Sequence, residues 1–242
     1  MSDWLFDLGN TRLKFAPREG FSGAAPGHLV HRGDPAAFRL PPEVQGSTAW
    51  VAAVVPPALQ AGLRDALLER FRRISFARTL SRSGRLRIAY ARPESLGVDR
   101  FLAMRALAGE GRATLLAGVG TALTVDLVDA DGRHRGGRIA PSPTLMRECL
   151  HQRAPHLPLR GGEALAFAAD TADALASGCE GAALALLRES LQAAERLLGG
   201  SVAMVLHGGG ADALLPQLAE AQLRPALIME GLSGWAGVAD RA

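Results

Sequence analysis

Cysteine is scarce in this chain of 242 residues, which has only two, Cys149 and Cys179. They form no C-x-x-C pair, and no histidine stands at zinc-finger spacing from them. The six histidines are scattered and contain no H-E-x-x-H motif. We therefore expect neither a zinc site nor a disulfide framework, and we interpret both cysteines as small buried hydrophobic residues.

Other absences narrow the class of protein further. Aromatic residues make up 5% of the chain and its arginines are dispersed, whereas a nucleic-acid groove needs a basic stripe with stacking aromatics. No apolar run approaches the roughly 18 residues of a membrane span, and no basic segment leads into a long apolar one at the N-terminus. No G-x-x-x-x-G-K-[ST] motif is present, which excludes an ordinary P-loop enzyme. We expect a cytoplasmic protein that binds neither nucleic acid nor membrane.

Lysine occurs once, at Lys14, among 27 lysines and arginines. It lies in the segment Trp4–Phe15, where an apolar run ends at Asp7 and a polar turn leads into a second strand. In such a hairpin Asp7 could hold a hydrated divalent cation, while Asn10, Thr11 and Lys14 offer donors to phosphate oxygens. The alternative is that Asp7 only caps the turn through its own backbone, as aspartate often does.

The rest of the chain alternates short strands with helices. A strand over 114–119, a turn at Gly120 and a strand over 123–128 repeat the first hairpin, with Gly120 standing 111 positions after Gly9. The two halves therefore look like duplicates, each with hairpins first, which predicts an α/β protein with mixed sheets and helices on both faces. Later predicted elements are a helix over 171–198 that Gly178 or Gly181 could interrupt, a strand over 226–230 and a helix from Leu232.

Four segments, in this order, resemble motifs of the type III pantothenate kinases, a family of the acetate and sugar kinase, Hsp70 and actin superfamily. The first is similar to the phosphate motif D-x-G-N-T-x-x-K and reads Asp7, Leu8, Gly9, Asn10, Thr11, Arg12, Leu13, Lys14. The second joins Tyr90 and Pro93 to Leu96, Gly97, Val98, Asp99, Arg100. The third runs from Gly120 and Thr121 to Asp126 and includes 136–141, and the fourth is 206–210. Each motif alone is weak, whereas the ordered set is specific.

The resemblance implies an actin-like ATPase fold of two ribonuclease-H-like domains, residues 1–111 and 112–242, with ATP in the cleft between them. The implied activity is ATP-dependent phosphorylation of pantothenate to 4'-phosphopantothenate, the first step of coenzyme A synthesis, by a homodimer with a shared active site. Residues 7–14, Gly120 and Thr121 would bind the ATP phosphates, with Asp7 near Mg²⁺.

The same resemblance implies roles for the second motif. Asp99 would be the general base, and pantothenate would contact Tyr90, Gly97, Val98, Asp99 and Arg100, with Thr171 contributed across the dimer interface. Without the resemblance, Asp99 and Arg100 are simply an acid at a helix start and its exposed neighbour.

Two positions depart from the family pattern. The family usually has Asp two residues before Gly120, where it helps to bind a monovalent cation such as K⁺ or NH₄⁺, and this chain has Gly118. Either other acids such as Asp126 help to hold the cation, or the cation requirement is weaker. Ser142 replaces a glycine that the family favours, which is tolerable if the backbone there has ordinary dihedral angles.

Two other functions are compatible with these residues. A non-catalytic member of the same family would keep the site without turnover; Gly118 favours this, and the intact Asp7, Lys14 and Asp99 argue against it. A dinucleotide-binding enzyme is indicated by residues 208–213, which fit G-x-G-x-x-A, with Glu230 ending the next predicted strand. That interpretation leaves the N-terminal hairpin unexplained.

Overall fold

The computed structural model describes residues 2–21, 23 and 25–239. Its elements in chain order are β1 (Trp4–Leu8), β2 (Arg12–Pro17), β3 (Gly27–Val30), β4 (Gly46–Ala53), α1 (Pro57–Leu68), β5 (Phe71–Phe76), β6 (Arg82–Ser83), β7 (Leu86–Arg87), α2 (Val98–Leu107), β8 (Thr114–Val119), β9 (Ala122–Val128), β10 (His134–Pro141), α3 (Pro143–Arg153), α4 (Thr171–Leu198), β11 (Ala203–His207), α5 (Ala211–Leu214), β12 (Gln222–Leu223) and α6 (Leu227–Ala239). No helix in this described part is long and apolar enough to cross a bilayer.

Two five-stranded sheets share one topology. The first has the order β3-β2-β1-β4-β5, in which the first three strands pair antiparallel and β4 and β5 run parallel to β1. The second has the order β10-β9-β8-β11-β12 with the same sequence of orientations. The duplication predicted from the spacing of Gly9 and Gly120 is therefore confirmed at the level of topology, as are the mixed sheets.

Helices cover both faces of the first sheet because its strands alternate their side chains. Phe6, Leu8 and Val51 face α1, whose Leu59, Leu63 and Leu67 recur every four residues along one side of the helix. Trp50, on the opposite face, packs edge-on against Trp235 of α6, with ring centroids 5.9 Å apart. This second face is also the one that α2 and α6 contact.

The chain divides into two compact units, one formed by Met1–Glu110 with Ala226–Ala242 and the other by Gly111–Pro225. The sequence prediction placed all of 112–242 in one domain. The structure corrects this, because the segment from Ala226 belongs to the first unit. Helix α6 belongs with the first unit because it packs on α2, β1 and β4. The predicted ranges also include residues 1, 22, 24 and 240–242, which lie outside the described residues.

Two element predictions were wrong. The predicted strand over 226–230 and helix from Leu232 are one helix, α6, which begins at Leu227. A short apolar run does not distinguish strand from buried helix, and packing on α2 decides the outcome. Helix α4 spans 171–198 as predicted and continues through Gly178 and Gly181. Of the two cysteines expected to be buried, Cys179 is buried and Cys149 is exposed.

Candidate active site

The tip of the first hairpin presents polar groups on a rigid base. Gly9 N–H donates to the Arg12 carbonyl oxygen at 3.0 Å, and residues 9–12 are exposed. Leu8 and Leu13 flank the tip and are 1% and 0% exposed, within the core that packs against α1. These two predicted phosphate-binding positions therefore anchor the hairpin with their side chains and can meet a ligand only through their backbone.

Asp7, Lys14 and Asp99 converge on one face of the first sheet. Asp7 and Lys14 are direct cross-strand partners, so their side chains lie on the same side of the hairpin. Asp7 stands two residues after Leu5 and so shares its face, the one covered by α2, whose first turn carries Asp99. Asp7 and Asp99 lie 92 positions apart in the chain, and only the packing of α2 brings them together.

The electrostatics of Asp7 reflect this setting. Burial raises the pKa of Asp7 to about 6, the Lys14 ammonium opposes the rise, and the nearby Asp99 carboxylate adds to it. Removing a carboxylate from water disfavours its charged form, and a second carboxylate does the same. A divalent cation would relieve both penalties, so Asp7 fits a ligand of hydrated Mg²⁺ shared with phosphate oxygens. Among the described residues no group of three or more His, Cys, Asp or Glu side chains forms a metal cluster.

Asp99 is held at the start of α2. Gly97 is the N-cap residue of the helix, so Asp99 lies in the first turn, where the helix dipole favours a carboxylate. The Arg100 backbone N–H donates to Asp99 Oδ1 at 2.8 Å. A Cβ at Gly97 would lie 2.6 Å from the same oxygen, so glycine leaves room for the carboxylate. The predicted position of Asp99 and Arg100 in the first turn of a helix is confirmed.

Tyr90 and Arg100 form a pair beside this helix start. Arg100 is 7% exposed, its Nη1 donates to the Tyr90 hydroxyl at 3.4 Å, and its guanidinium carbon lies 6.0 Å from the centre of the Tyr90 ring. The expectation of an exposed arginine next to Asp99 is wrong. A buried guanidinium that is fixed in this way suits a carboxylate-bearing ligand.

The second Gly turn lies in the other unit. Gly120 N–H donates to the Ala122 carbonyl oxygen at 2.9 Å, as Gly9 does to Arg12. Ser142 Oγ donates to the Thr121 carbonyl oxygen at 2.9 Å and accepts from Leu145 N–H at 3.3 Å, which caps α3. Ser142 has φ −69° and ψ 163°, ordinary angles that any residue adopts, so its replacement of glycine carries no backbone cost. Thr171, the first residue of α4, is exposed.

A side chain at position 118 would require its neighbours to shift. A Cβ there would lie 2.7 Å from Thr124 Oγ1 and 2.9 Å from His207 Nε2, because Gly118 pairs with both residues across the sheet. Asp126 is 1% exposed and its Oδ1 lies 3.0 Å from His134 Nε2. The nearby acid considered as a cation ligand therefore already has a buried imidazole partner.

The structure contradicts the dinucleotide-binding alternative. Gly208 does follow a buried strand, β11, and has φ +95°, a conformation that favours glycine. Glu230, however, lies in α6 rather than at the end of a strand, so the fingerprint lacks its ribose-binding acid.

Sequence reasoning missed two histidines at these turns. His31 contacts the first turn, with Nε2 3.0 Å from the Gly9 carbonyl oxygen, and His207 fills the space beside Gly118. His207 lies within the fourth motif, 206–210, but that motif predicts no contact with Gly118. A single polar residue at a strand end carries no periodic signal, so neither contact could be found without the tertiary structure.

Comparison with solved structures defines the fold class. A conserved Baf family protein from Campylobacter jejuni superimposes with a TM-score of 0.65 at 18% identity, covering 99% of this chain and 100% of the other. The activator of 2-hydroxyisocaproyl-CoA dehydratase from Clostridium difficile, solved with bound ADPNP, gives 0.53 at 10% identity, covering 100% and 96%. The chain has the predicted actin-like ATPase fold.

Sequence comparison defines the family within that fold. The type III pantothenate kinase family model matches residues 4–193. A type III pantothenate kinase of Stenotrophomonas maltophilia (strain K279a) is 52% identical over 237 residues, which cover 98% of each chain. This chain therefore belongs to the type III pantothenate kinase family.

Proposed function

We propose that this protein transfers the γ-phosphoryl group of ATP to the hydroxyl group of pantothenate, giving 4'-phosphopantothenate in the first step of coenzyme A synthesis. Membership of the family supports both the reaction and the identity of the substrate. The convergence of Asp7, Lys14 and Asp99 on one sheet face supports the proposal that these residues carry the reaction. ATP and a divalent metal are the cofactors, and we place the enzyme in the cytoplasm.

The residues divide the chemistry among them. Asp99 accepts the hydroxyl proton as the hydroxyl oxygen bonds to the γ-phosphorus and the bond to the β-phosphate oxygen breaks, which releases ADP. Lys14 neutralises negative charge on the phosphate tail, the backbone N–H groups of residues 10–12 donate to its oxygens, and Gly120 with Thr121 supplies a second phosphate turn. When bound, Mg²⁺ neutralises further negative charge near Asp7. Arg100, steadied by Tyr90, holds the pantothenate carboxylate beside Gly97 and Val98.

Asp99→Asn tests the general base. Asparagine keeps the size of the side chain but cannot accept the proton, so we expect kcat to fall by about 100-fold or more. The Kd of ADP, measured by calorimetry, should stay within about threefold of wild type. Glu94→Gln, a change at an exposed acid in the turn before α2, is the matched control and should leave kcat unchanged. A kcat within a few-fold of wild type for Asp99→Asn would remove Asp99 from this role.

We propose, in addition, that position 118 does not take part in binding a monovalent cation. Its space is occupied by Thr124 and His207, and Asp126 is engaged by His134. K⁺ or NH₄⁺ would then be dispensable, or would bind through groups other than the acid that the family carries at this position.

We also propose a homodimer whose interface lies in the segment 139–167. None of the residues of α3 is buried within one chain, although the helix carries three leucine or methionine side chains. Ile139 is 66% exposed and Phe167 is 99% exposed, which is unusual for large apolar side chains. Thr171 follows this segment directly, so a partner chain seated here would lie beside the residue expected to reach across to its pantothenate.

A further inference from the structure

His31 is a buried histidine that belongs to none of the sequence motifs. It follows β3, is 2% exposed, and its ring centroid lies 5.3 Å from that of Phe38. The ring Nδ1 accepts the Gly33 N–H at 3.0 Å, and Nε2 lies 3.0 Å from the Gly9 carbonyl oxygen. Since the accepting Nδ1 carries no proton, the proton of the neutral ring is on Nε2, which donates to Gly9.

The backbone of the same loop holds the other side of the turn. The N–H groups of His31 and Arg32 both donate to the Thr11 carbonyl oxygen, at 3.0 and 3.2 Å. Arg32 has φ +49°, a left-handed conformation that non-glycine residues keep only where surrounding contacts impose it. The His31 ring therefore holds the Gly9 carbonyl group, and the N–H groups of His31 and Arg32 hold the Thr11 carbonyl group, on either side of Asn10.

These contacts orient the turn for an anion. In a trans peptide the C=O and N–H of one unit point in opposite directions. Because the Gly9 carbonyl is directed at the His31 ring, the Asn10 N–H is directed away from it, where Asn10 is exposed. Backbone N–H groups attract a phosphate, whereas a free carbonyl oxygen in the same place would repel it.

The second turn carries a similar contact, made to the carbonyl group of the residue after its glycine. Ser142 Oγ donates to the Thr121 carbonyl oxygen at 2.9 Å, from a residue that lies 21 positions further along the chain. In each unit, a buried side chain from outside the Gly turn thus binds a carbonyl group of that turn.

We propose that His31 is a positioning residue for nucleotide binding: its ring holds the Gly9 carbonyl away from the ligand and so directs the N–H groups of the first turn at a nucleotide phosphate. This inference rests on the proposed phosphate-binding role of residues 7–14. It adds a residue outside those motifs, and no contact between His31 and the ligand is required.

The test compares two substitutions that differ in reach. In His31→Gln the side-chain amide nitrogen can replace Nε2 as the donor to Gly9, whereas in His31→Asn the amide lies one carbon closer to the backbone and cannot reach it. Phe38→Leu is the matched control, because it loosens the packing around the loop and leaves both hydrogen bonds of the ring in place. Calorimetry with ADP and Mg²⁺ gives the nucleotide Kd without turnover, steady-state assays give both KM values, and thermal melting reports folding.

We expect His31→Asn to raise the Kd of ADP and the KM of ATP by about tenfold, with the KM of pantothenate within about twofold of wild type. His31→Gln should restore nucleotide affinity to within about threefold of wild type. Phe38→Leu should lower the melting temperature without weakening ADP binding. Equal nucleotide affinities for the Asn and Gln variants, or equal losses for both substrates, would overturn the inference. Wild-type protein that binds no ADP would instead overturn the phosphate-binding role of the hairpin itself.

Discussion

At the scale of single residues, the site depends on side chains whose neighbours are distant in the chain. Asp7 has a raised pKa because burial and Asp99 outweigh the opposing charge of Lys14. Gly118 fits its surroundings, because the Thr124 and His207 side chains lie where a Cβ at this position would point. The departure from the family motif at position 118 is therefore matched by a specific local packing arrangement.

The packing at Gly118 makes a prediction about cations. With no acid at position 118 and Asp126 bound to His134, phosphorylation rates in NaCl, KCl and NH₄Cl of equal ionic strength should agree to within about threefold. The measurement is pantothenate-dependent ADP release at saturating ATP and Mg²⁺. Buffer with NaCl alone is the reference, and choline chloride controls for ionic strength. Stimulation by K⁺ of more than about tenfold would show that a cation site exists despite Gly118.

At the scale of elements, the sequence defined the ends of α4 well because both carry strong local signals. Asp170 accepts hydrogen bonds from the N–H groups of Ala172 and Asp173 at 2.8 and 3.1 Å, and Gly199 ends the helix with φ +67°. The interior glycines, by contrast, were weak evidence for a break. Glycine lowers helix stability without interrupting the hydrogen-bond ladder, and the packing of α4 on β8, β9 and α3 keeps it continuous.

Those glycines predict a gain in stability. Gly178 and Gly181 are exposed, and a Cβ at either would meet no atom within 4 Å. Replacing each by alanine should raise the free energy of unfolding by about 0.5–1 kcal/mol, because alanine loses less backbone entropy in a helix. Gly162→Ala is the opposing control: it has φ +79° and its Cβ would overlap the Ala172 backbone, so it should destabilise. Urea denaturation measures all three, and destabilisation by either helix substitution would contradict the interpretation.

At the scale of the whole molecule, the chain consists of two units of equal topology, and the segment from Ala226 onwards returns to the first. The sequence predicted the duplication from two Gly turns but missed this return, since nothing local marks which core a C-terminal helix joins. The segment 139–167 leaves apolar side chains exposed in the single chain, which supports a second copy of the chain as its partner.

The interface prediction is tested by charge. Phe167→Glu places a carboxylate at a position that is 99% exposed in the single chain, so folding should be unaffected. In a dimer the same position would be buried, and a charge there would prevent the contact. We expect sedimentation to show a dimer for wild type and a monomer for Phe167→Glu, with a loss of pantothenate affinity through Thr171. Leu68→Glu, at another exposed leucine, 63% exposed at the end of α1, is the control and should stay dimeric. A dimeric Phe167→Glu variant would place the interface elsewhere.

The sequence alone determined the features that local spacing encodes. Strand alternation places Asp7 opposite Lys14 once the hairpin forms, capping residues set the ends of α4, and the ordered motifs indicated the family that the comparisons confirm. Only the tertiary structure decided which residues meet across long stretches of chain: Asp99 with Asp7, His31 with the first turn, His207 with Gly118, and α6 with the first unit. These contacts arise from the packing of helices and loops on the sheets. That packing depends on apolar surfaces far away in the sequence, so the residues around each contact show no local pattern that would reveal it.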